Sequence, residues 1–421
     1  MHAGGAITGS GFVTDVSVKL AGAMARYELR LPSTPERVIE SLRASLSLLE
    51  LGPEEICFPL LAATYRSVLG DADFAIHLAG ETGAFKSEVA ALHQQHFGAS
   101  LDRRNLPGSW SSTANALEAL AFVGKDALVV IDDFAPQGSA SDVNRYHAAA
   151  DRVFRAAGNQ AGRSRLDSTA KLRDAKPPRA LILSTGEDIP RAHSIRARLL
   201  TLELSKGNID RAALTDAQQN ARAGRFAGAM GAYLKWLAGQ YETARSRFYD
   251  LIVHHRSRVV GNLAHARTPD IVANLQAAFD LFLEFCRESG AITGSERHDL
   301  MNRCWTALNR AASMQAKHQL ATDPATRYVT LIQSLITSGR SHLASRDCGE
   351  PSPSPESYGW RHDRTGDWEP RGELIGWVDD NSIYLEPIAA FRAAQVLGRD
   401  LGEVSPIAET TLRKRLTRRA C

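Results

Sequence analysis

The sequence predicts an α/β chain with a parallel-sheet core, an all-helical region and a small hairpin-and-helix module. Three observations carry that expectation. A short apolar run, Phe74 to Leu78, leads through a glycine-rich turn into a helical pattern with Val89, Leu92 and Phe97. Such runs, bounded by turn signals, read as buried strands. A second apolar run, Ala127 to Ile131, ends in Asp132-Asp133. From Asp210 to about Ala344, apolar residues recur at helical spacing with glycine and proline breaks between segments.

Taken in order, residues 1–70 form a lead-in. Val13 to Leu31 alternates in places as a strand would. Thr34-Pro35-Glu36-Arg37 opens an amphipathic helix running to Leu51, with proline just inside its start. Pro53-Glu54-Glu55 opens another, to about Val68, whose Ile56, Leu60, Leu61 and Tyr65 would pack on the sheet. The core is expected over 71–208. Its turn reads Gly80-Glu81-Thr82-Gly83-Ala84-Phe85-Lys86-Ser87. Strand, glycine loop, Lys-Ser and helix make up a phosphate-binding loop. Glycines let backbone N–H groups face an anion, and the helix start adds the positive end of its dipole. Gly80, Thr82 and Gly83 would cradle the phosphates of ATP, Lys86 would reach the β- and γ-phosphates, and Ser87 would hold Mg²⁺. One position departs from the usual G-x-x-x-x-G-K-[ST]: Phe85 stands where the second glycine belongs.

Ser111-Ser112-Thr113 caps a helix from Ala114 to Phe122, and Trp110 before it reads as core, with contact to a ligand as the alternative. The Ala127–Ile131 strand has the shape of a Walker B element. It delivers Asp132 to the carboxyl edge where the phosphate loop also lies, to bind Mg²⁺ directly or through Ser87 and water. Residues 134–180 form a polar, basic excursion. A helix from Asp142 to Ala157 precedes a hairpin with Arg163, Arg165, Lys171 and Arg173 on its arms; a solvated loop is the alternative. Arg179 to Ser184 is the next strand, ending in Ser184-Thr185-Gly186-Glu187 near the γ-phosphate position. A short helix and a strand, SIRARLLTLEL, follow, with Arg196 and Arg198 at the start.

GETGAFKS, SWSSTANALEAL, ALVVIDDFAP and LILSTGEDIPRAHSIRARLL stand in that order. They resemble a family of helicase-like P-loop ATPases of unassigned function, found on plasmids, phages and integrative elements, often fused to or beside primases. The resemblance covers roughly residues 10–240. It implies a P-loop NTPase core of the RecA/AAA kind, similar to superfamily-three helicases. Asp133 stands where related ATPases often carry a glutamate that orients the attacking water, and it is one methylene shorter. Thr185 would sense the γ-phosphate. Arg198, or Arg196, would project into the neighbouring subunit's site as a finger, an ordinary surface arginine being the alternative, so a homo-oligomeric ring, of six subunits in such proteins, is implied. The basic hairpin would hold single-stranded DNA, and a primase is the implied partner.

Segments Ala217–Gln240, Tyr241–Val259, Pro269–Glu288, Ser295–Lys317 and Pro324–Leu343 read as a helical lid or collar over 209–344. His254-His255 and His265 read as surface residues, because no acidic or cysteine partner sits at ligand spacing. Residues 345–358, SRDCGEPSPSPESY, are a linker by composition. In the last module, 359–421, Glu373–Val378 and Ser382–Leu385 flank Asp379-Asp380-Asn381 as a hairpin, and two helices follow. The second, ETTLRKRLTRRA, is like the recognition helix of a winged-helix domain, with Arg413, Lys414 and Arg415 as nucleic-acid contacts. A solvated basic face is the alternative. A wing would begin where the chain stops, so the module reads as truncated.

A chain of 421 residues holds two or three domains, and a 44% hydrophobic content suits ordinary globular cores. The net charge of +3 decides little. Five scattered cysteines without a CxxC pair argue against a zinc site or a disulfide framework and suit a reducing cytoplasm. Neither a signal peptide nor a membrane span is legible. Three readings remain: an ATP-driven helicase or translocase of mobile-element replication, an ATP-switched replication initiator or loader, and a degenerate ATPase scaffold suggested by Phe85 and Asp133.

Overall fold

The computed structural model describes residues 2–162, 172, 174–190, 195, 197–259, 267–321, 323–379, 382–401 and 408–420. They fall into two units, Met1–Gln319 and Leu320–Cys421. The first opens on a small antiparallel hairpin, β1 (Ala6–Thr8) and β2 (Gly11–Val13). The strand expected toward Leu31 stops there, and Gly22–Arg26 forms a 3-10 turn instead. Met24, Tyr27 and Leu29 turn inward to the core rather than onto a partner strand. Two helices follow, α1 (Pro35–Leu46) and α2 (Glu54–Arg66). Thr34 caps α1 by accepting the Arg37 N–H, with Pro35 at its first position.

The core strands are β3 (Ala75–Ala79), β4 (Gly108–Ser109), β5 (Leu128–Phe134), β6 (Leu181–Gly186) and β7 (Leu199–Glu203). They form one parallel sheet in the order β4-β5-β6-β3-β7. Helices α3 (Lys86–Gln94), α4 (Ala114–Val123) and α5 (Ala140–Asn159) connect them. β3 is buried at every residue, as a parallel strand covered on both faces requires. The α5 cap is a full capping box between Ser139 and Asp142.

Among the described residues, five helices complete the unit: α6 (Arg211–Arg222), α7 (Arg225–Ala238), α8 (Tyr241–Arg258), α9 (Thr268–Glu288) and α10 (Gly294–Ala321). They share one hydrophobic cluster with the sheet. Tyr65 of α2 stacks on Phe282 of α9 with ring centroids 3.5 Å apart, and Phe58 meets Phe279 edge-on. His255, expected at the surface, is buried. Its ring lies against Trp305, 3.9 Å from the Asp280 carboxylate, which also pairs with Arg297. The helical period of α8 placed it inward, and its acidic neighbour comes from a distant helix. His265 lies outside the described residues.

The second unit holds α11 (Pro324–Thr337), β8 (Ser341–Ser345), β9 (Trp360–His362), β10 (Trp368–Pro370), β11 (Glu373–Val378), β12 (Ile383–Leu385), α12 (Pro387–Asp400) and α13 (Glu409–Ala420). The helix expected to reach Leu343 ends at Thr337. Gly339, at φ 70°, turns the chain into β8, which pairs parallel with β11. Residues 346–358 therefore join two strands of this unit. The expected hairpin is present as β11 and β12. Leu343, Ile375, Ala390 and Leu412 form its core with Leu331.

Candidate functional site

The carboxyl ends of the core strands meet at one edge: Ala79 pairs with Gly186 on one side and Glu203 on the other, and Ser109 with Asp132. A loop leaving β3 at this edge must turn at once. Gly80 makes that turn at φ 158°, where a Cβ would stand 2.1 Å from the Leu204 carbonyl oxygen, so no side chain fits. Gly83 follows at φ 86°. Phe85 then adopts the left-handed conformation (φ 65°, ψ 20°) as the N-cap of α3. The position that departs from the glycine pattern thus holds the backbone geometry a glycine would hold. Helix α3 opens on Lys86 and Ser87, so its free N–H groups and dipole face the loop.

The acid strand is locked to that helix. The Val130 N–H donates to Gln94 Oε1 at 2.8 Å, and Gln94 Nε2 donates to the Leu128 carbonyl at 3.2 Å. This fixes the register of α3 against β5. The Ser87 hydroxyl donates to Asp132 Oδ1 at 2.8 Å, and Thr185 Oγ1 donates to the same oxygen. The Asp133 N–H donates to Thr185 Oγ1 at 3.3 Å. Asp133 sits in an irregularity of β5 with φ 68° and is exposed.

Lys86 Nζ donates to the Glu81 carbonyl at 2.9 Å. Burial lowers its pKa, opposed by Glu187, then Asp132, Asp133 and Glu81. Thr82 Oγ1 donates to Glu187, and Lys206 pairs with the Glu81 carboxylate at 3.0 Å. Beside these groups lies an open groove of about 540 Å³, bordered by Gly80, Thr82, Glu187, Glu203 and Lys206. Glu187, Glu81 and Lys206 received no role from the sequence. Glu187 alone left a signal there, two places past Thr185 on the same strand end.

A divalent cation fits this donor set. Ser87 and Asp132 offer hard oxygens side by side, and Mg²⁺ is usually held by one or two carboxylates with phosphate and water completing its shell. Gly80, Thr82, Gly83, Lys86, Ser87, Asp132, Asp133 and Thr185 are therefore one cluster. Arg198 is apart from it. Its carbonyl accepts the Ala75 N–H at 2.9 Å, which puts it at the opposite, amino edge of the sheet. Its guanidinium donates to Asn159 Oδ1 at 3.2 and 2.7 Å, at the C-terminal end of α5. Arg163, Arg165, Lys171, Arg173 and Arg196 lie outside the described residues. In the second unit, α13 exposes Arg413 and Lys414, with Arg415 half-buried. Among the described residues no helix is long and apolar enough to cross a membrane.

No protein-family model matches the chain, and neither does a curated protein. Among solved structures it is similar to one titled "SCCmec type IV Cch - active helicase", at 14% identity and a TM-score of 0.56, over 92% of this chain and 67% of that one. A second, titled as the apo C-terminal region of NrS-1, aligns at 13% identity with a TM-score of only 0.28, over 72% of this chain and 70% of that one. The first likeness shows the fold: a mixed α/β chain with a five-stranded parallel sheet, compatible with a P-loop helicase core.

Proposed function

We propose that this chain is an ATP-dependent, helicase-like motor that couples ATP hydrolysis to single-stranded DNA in mobile-element replication. One observation carries the reading. The Ser87 hydroxyl and the Asp132 carboxylate meet at 2.8 Å, beside Lys86, where a glycine loop enters the N-terminus of a helix. A turn that only joined a strand to a helix has no need of an acid strand brought to the same spot. Backbone N–H groups and Lys86 bind and neutralise the phosphates of ATP. Ser87 and Asp132 would hold Mg²⁺, which would draw charge from the reacting phosphoryl group. Thr185 donates to Asp132 and accepts the Asp133 N–H, and in this reading Thr185 would sense the γ-phosphate. The similar structure titled an active helicase supports the motor reading through its fold. An ATP-switched initiator would use the same nucleotide site without unwinding DNA.

In this reading the subunits form a ring, DNA is held by Arg163, Arg165, Lys171 and Arg173 or by α13 as a winged-helix-like contact, and a primase acts alongside. ATP turnover by the purified chain, with and without single-stranded DNA, tests it. Turnover that rises with DNA and is lost in folded Lys86→Ala is expected. Turnover unaffected by Lys86→Ala refutes the nucleotide assignment, and DNA-independent turnover without unwinding favours the switch.

A further inference from the structure

Hydrolysis is aided by a side chain that orients the attacking water beside the γ-phosphate, and the acid in the customary place is short. Asp133 and Glu187 are both exposed, but Asp133 is one methylene shorter and set in the irregular part of β5. Glu187 is tied to the phosphate loop itself. Its N–H donates to the Phe134 carbonyl at 3.0 Å. Gly186 before it accepts the Gly80 N–H at 3.1 Å, tying it to the start of the phosphate loop. That approach is too close for a side chain, since a Cβ on Gly186 would stand 2.5 Å from the Phe134 oxygen.

Asp188 after it is held as well. His77 Nε2 lies 2.9 Å from the Asp188 carbonyl, which only accepts, so in the neutral ring Nε2 carries the proton and donates to it. Its Nδ1 then accepts from the Ser184 hydroxyl at 2.9 Å, and Trp110 Nε1–H donates to that Ser184 oxygen at 2.9 Å. The Glu187 side chain is one bond longer in reach than Asp133 and accepts the Thr82 hydroxyl of the phosphate loop. Of the four carboxylates facing Lys86, it acts on that ammonium most strongly.

We propose that Glu187, rather than Asp133, orients and deprotonates the attacking water; this rests on the nucleotide reading above. The water oxygen bonds to the γ-phosphorus as the bond from that phosphorus to the β–γ bridging oxygen breaks. The electron pair of the broken bond stays with ADP. The water's proton passes to the Glu187 carboxylate and leaves to solvent. Binding of ATP first displaces Glu187 from the Thr82 hydroxyl, which frees the carboxylate for water.

The test compares Glu187→Gln and Asp133→Asn with wild type, scoring binding of a fluorescent ATP analogue and single-turnover hydrolysis separately. Glu187→Gln should bind the analogue within about threefold of wild type and hydrolyse ATP roughly a hundredfold or more slowly, the usual contribution of a positioned base. Asp133→Asn should lose about tenfold or less. The proposal is overturned if Glu187→Gln hydrolyses at near wild-type rate, if it loses nucleotide binding, or if Asp133→Asn is the more damaged. A wild-type chain that neither binds nor hydrolyses ATP would instead show that the nucleotide reading itself has failed, before any variant is compared.

Discussion

At the scale of single residues, Phe85 shows how a motif can change letters and keep its geometry. An L-residue in the left-handed region costs about 1–2 kcal/mol, yet Phe85 sits there at φ 65°. Its ring offsets this by packing, half-buried, on the core, with the Arg211 guanidinium 5.9 Å from its centroid. The two terms can be separated. Phe85→Ala loses the ring and keeps the strained backbone. Phe85→Gly loses the ring and relieves the strain. We expect Phe85→Gly to be more stable than Phe85→Ala by about 1 kcal/mol in urea unfolding, and to bind nucleotide as wild type does. Equal stabilities would mean that the left-handed turn carries no strain. That Lys86, Ser87 and Asp132 come together at one sheet edge was legible from residue type and order alone. Gln94, which sets the register between helix and acid strand, could not, because a glutamine at a helix end looks the same whether it bonds a distant strand or water.

At the scale of elements, the phosphate helix is docked through a buried polar cluster. His96 Nδ1 lies 3.1 Å from the Leu92 carbonyl, so it carries the proton. Its Nε2 then accepts from Ser45 Oγ at 2.9 Å, while Tyr65 donates to the same Ser45 oxygen at 2.8 Å. The ring stacks on Phe226 of α7 at 4.9 Å. A neutral imidazole is fully satisfied there, and a charged one is not. Burial lowers the His96 pKa to about 4 and pushes His93 well below its ordinary value. Both groups take up protons more readily unfolded than folded. Their stabilisation is therefore complete above pH 6.5 and is lost as pH falls toward 4. For His96 the loss amounts to about 3 kcal/mol. Urea unfolding of His96→Gln should show a visibly shallower fall between pH 6.5 and 4 than wild type, and an unchanged slope would assign the acid sensitivity elsewhere. Whereas the sequence pattern places the α5 start at Asp142, inside its Ser139 cap, strand–loop–helix order and the α1 and α4 starts were legible because they are local patterns. The path of the lead-in, the β8 strand and the inward face of α8 were not. Each depends on partners distant in sequence: Leu128 for Tyr27, β11 for β8, and α9 with α10 for His255.

At the scale of the whole molecule, the sheet separates the phosphate loop from Arg198, the residue the resemblance offers as a finger. The phosphate loop leaves the carboxyl edge after Ala79, whereas Arg198 stands at the amino edge beside Ala75. A five-residue strand lies between them, a span of roughly 16 Å. Arg198 therefore cannot serve the phosphates bound by its own loop. It can do so only for a neighbour, in a head-to-tail arrangement that closes into a ring. Its guanidinium lies across Gly158, and burial, helped by the neighbouring Arg267 and Arg155, lowers its pKa. Arg198→Ala should bind ATP as wild type does and hydrolyse it about a thousandfold more slowly, the lower end of a finger's contribution. Lys86→Ala should bind and hydrolyse poorly for a different reason. In a random equal mixture, a site works only where an Arg198→Ala subunit supplies the loop and a Lys86→Ala subunit supplies the arginine. That combination occurs at roughly a quarter of head-to-tail interfaces, so about a quarter of wild-type turnover should return. The mixture must be assembled from dissociated subunits, and its assembly checked by light scattering. Recovery in mixed assemblies would place Arg198 in the neighbour's site. An assembled mixture as inactive as either parent would show that Arg198 does not serve the neighbour's site and would make Arg196 the next residue to test.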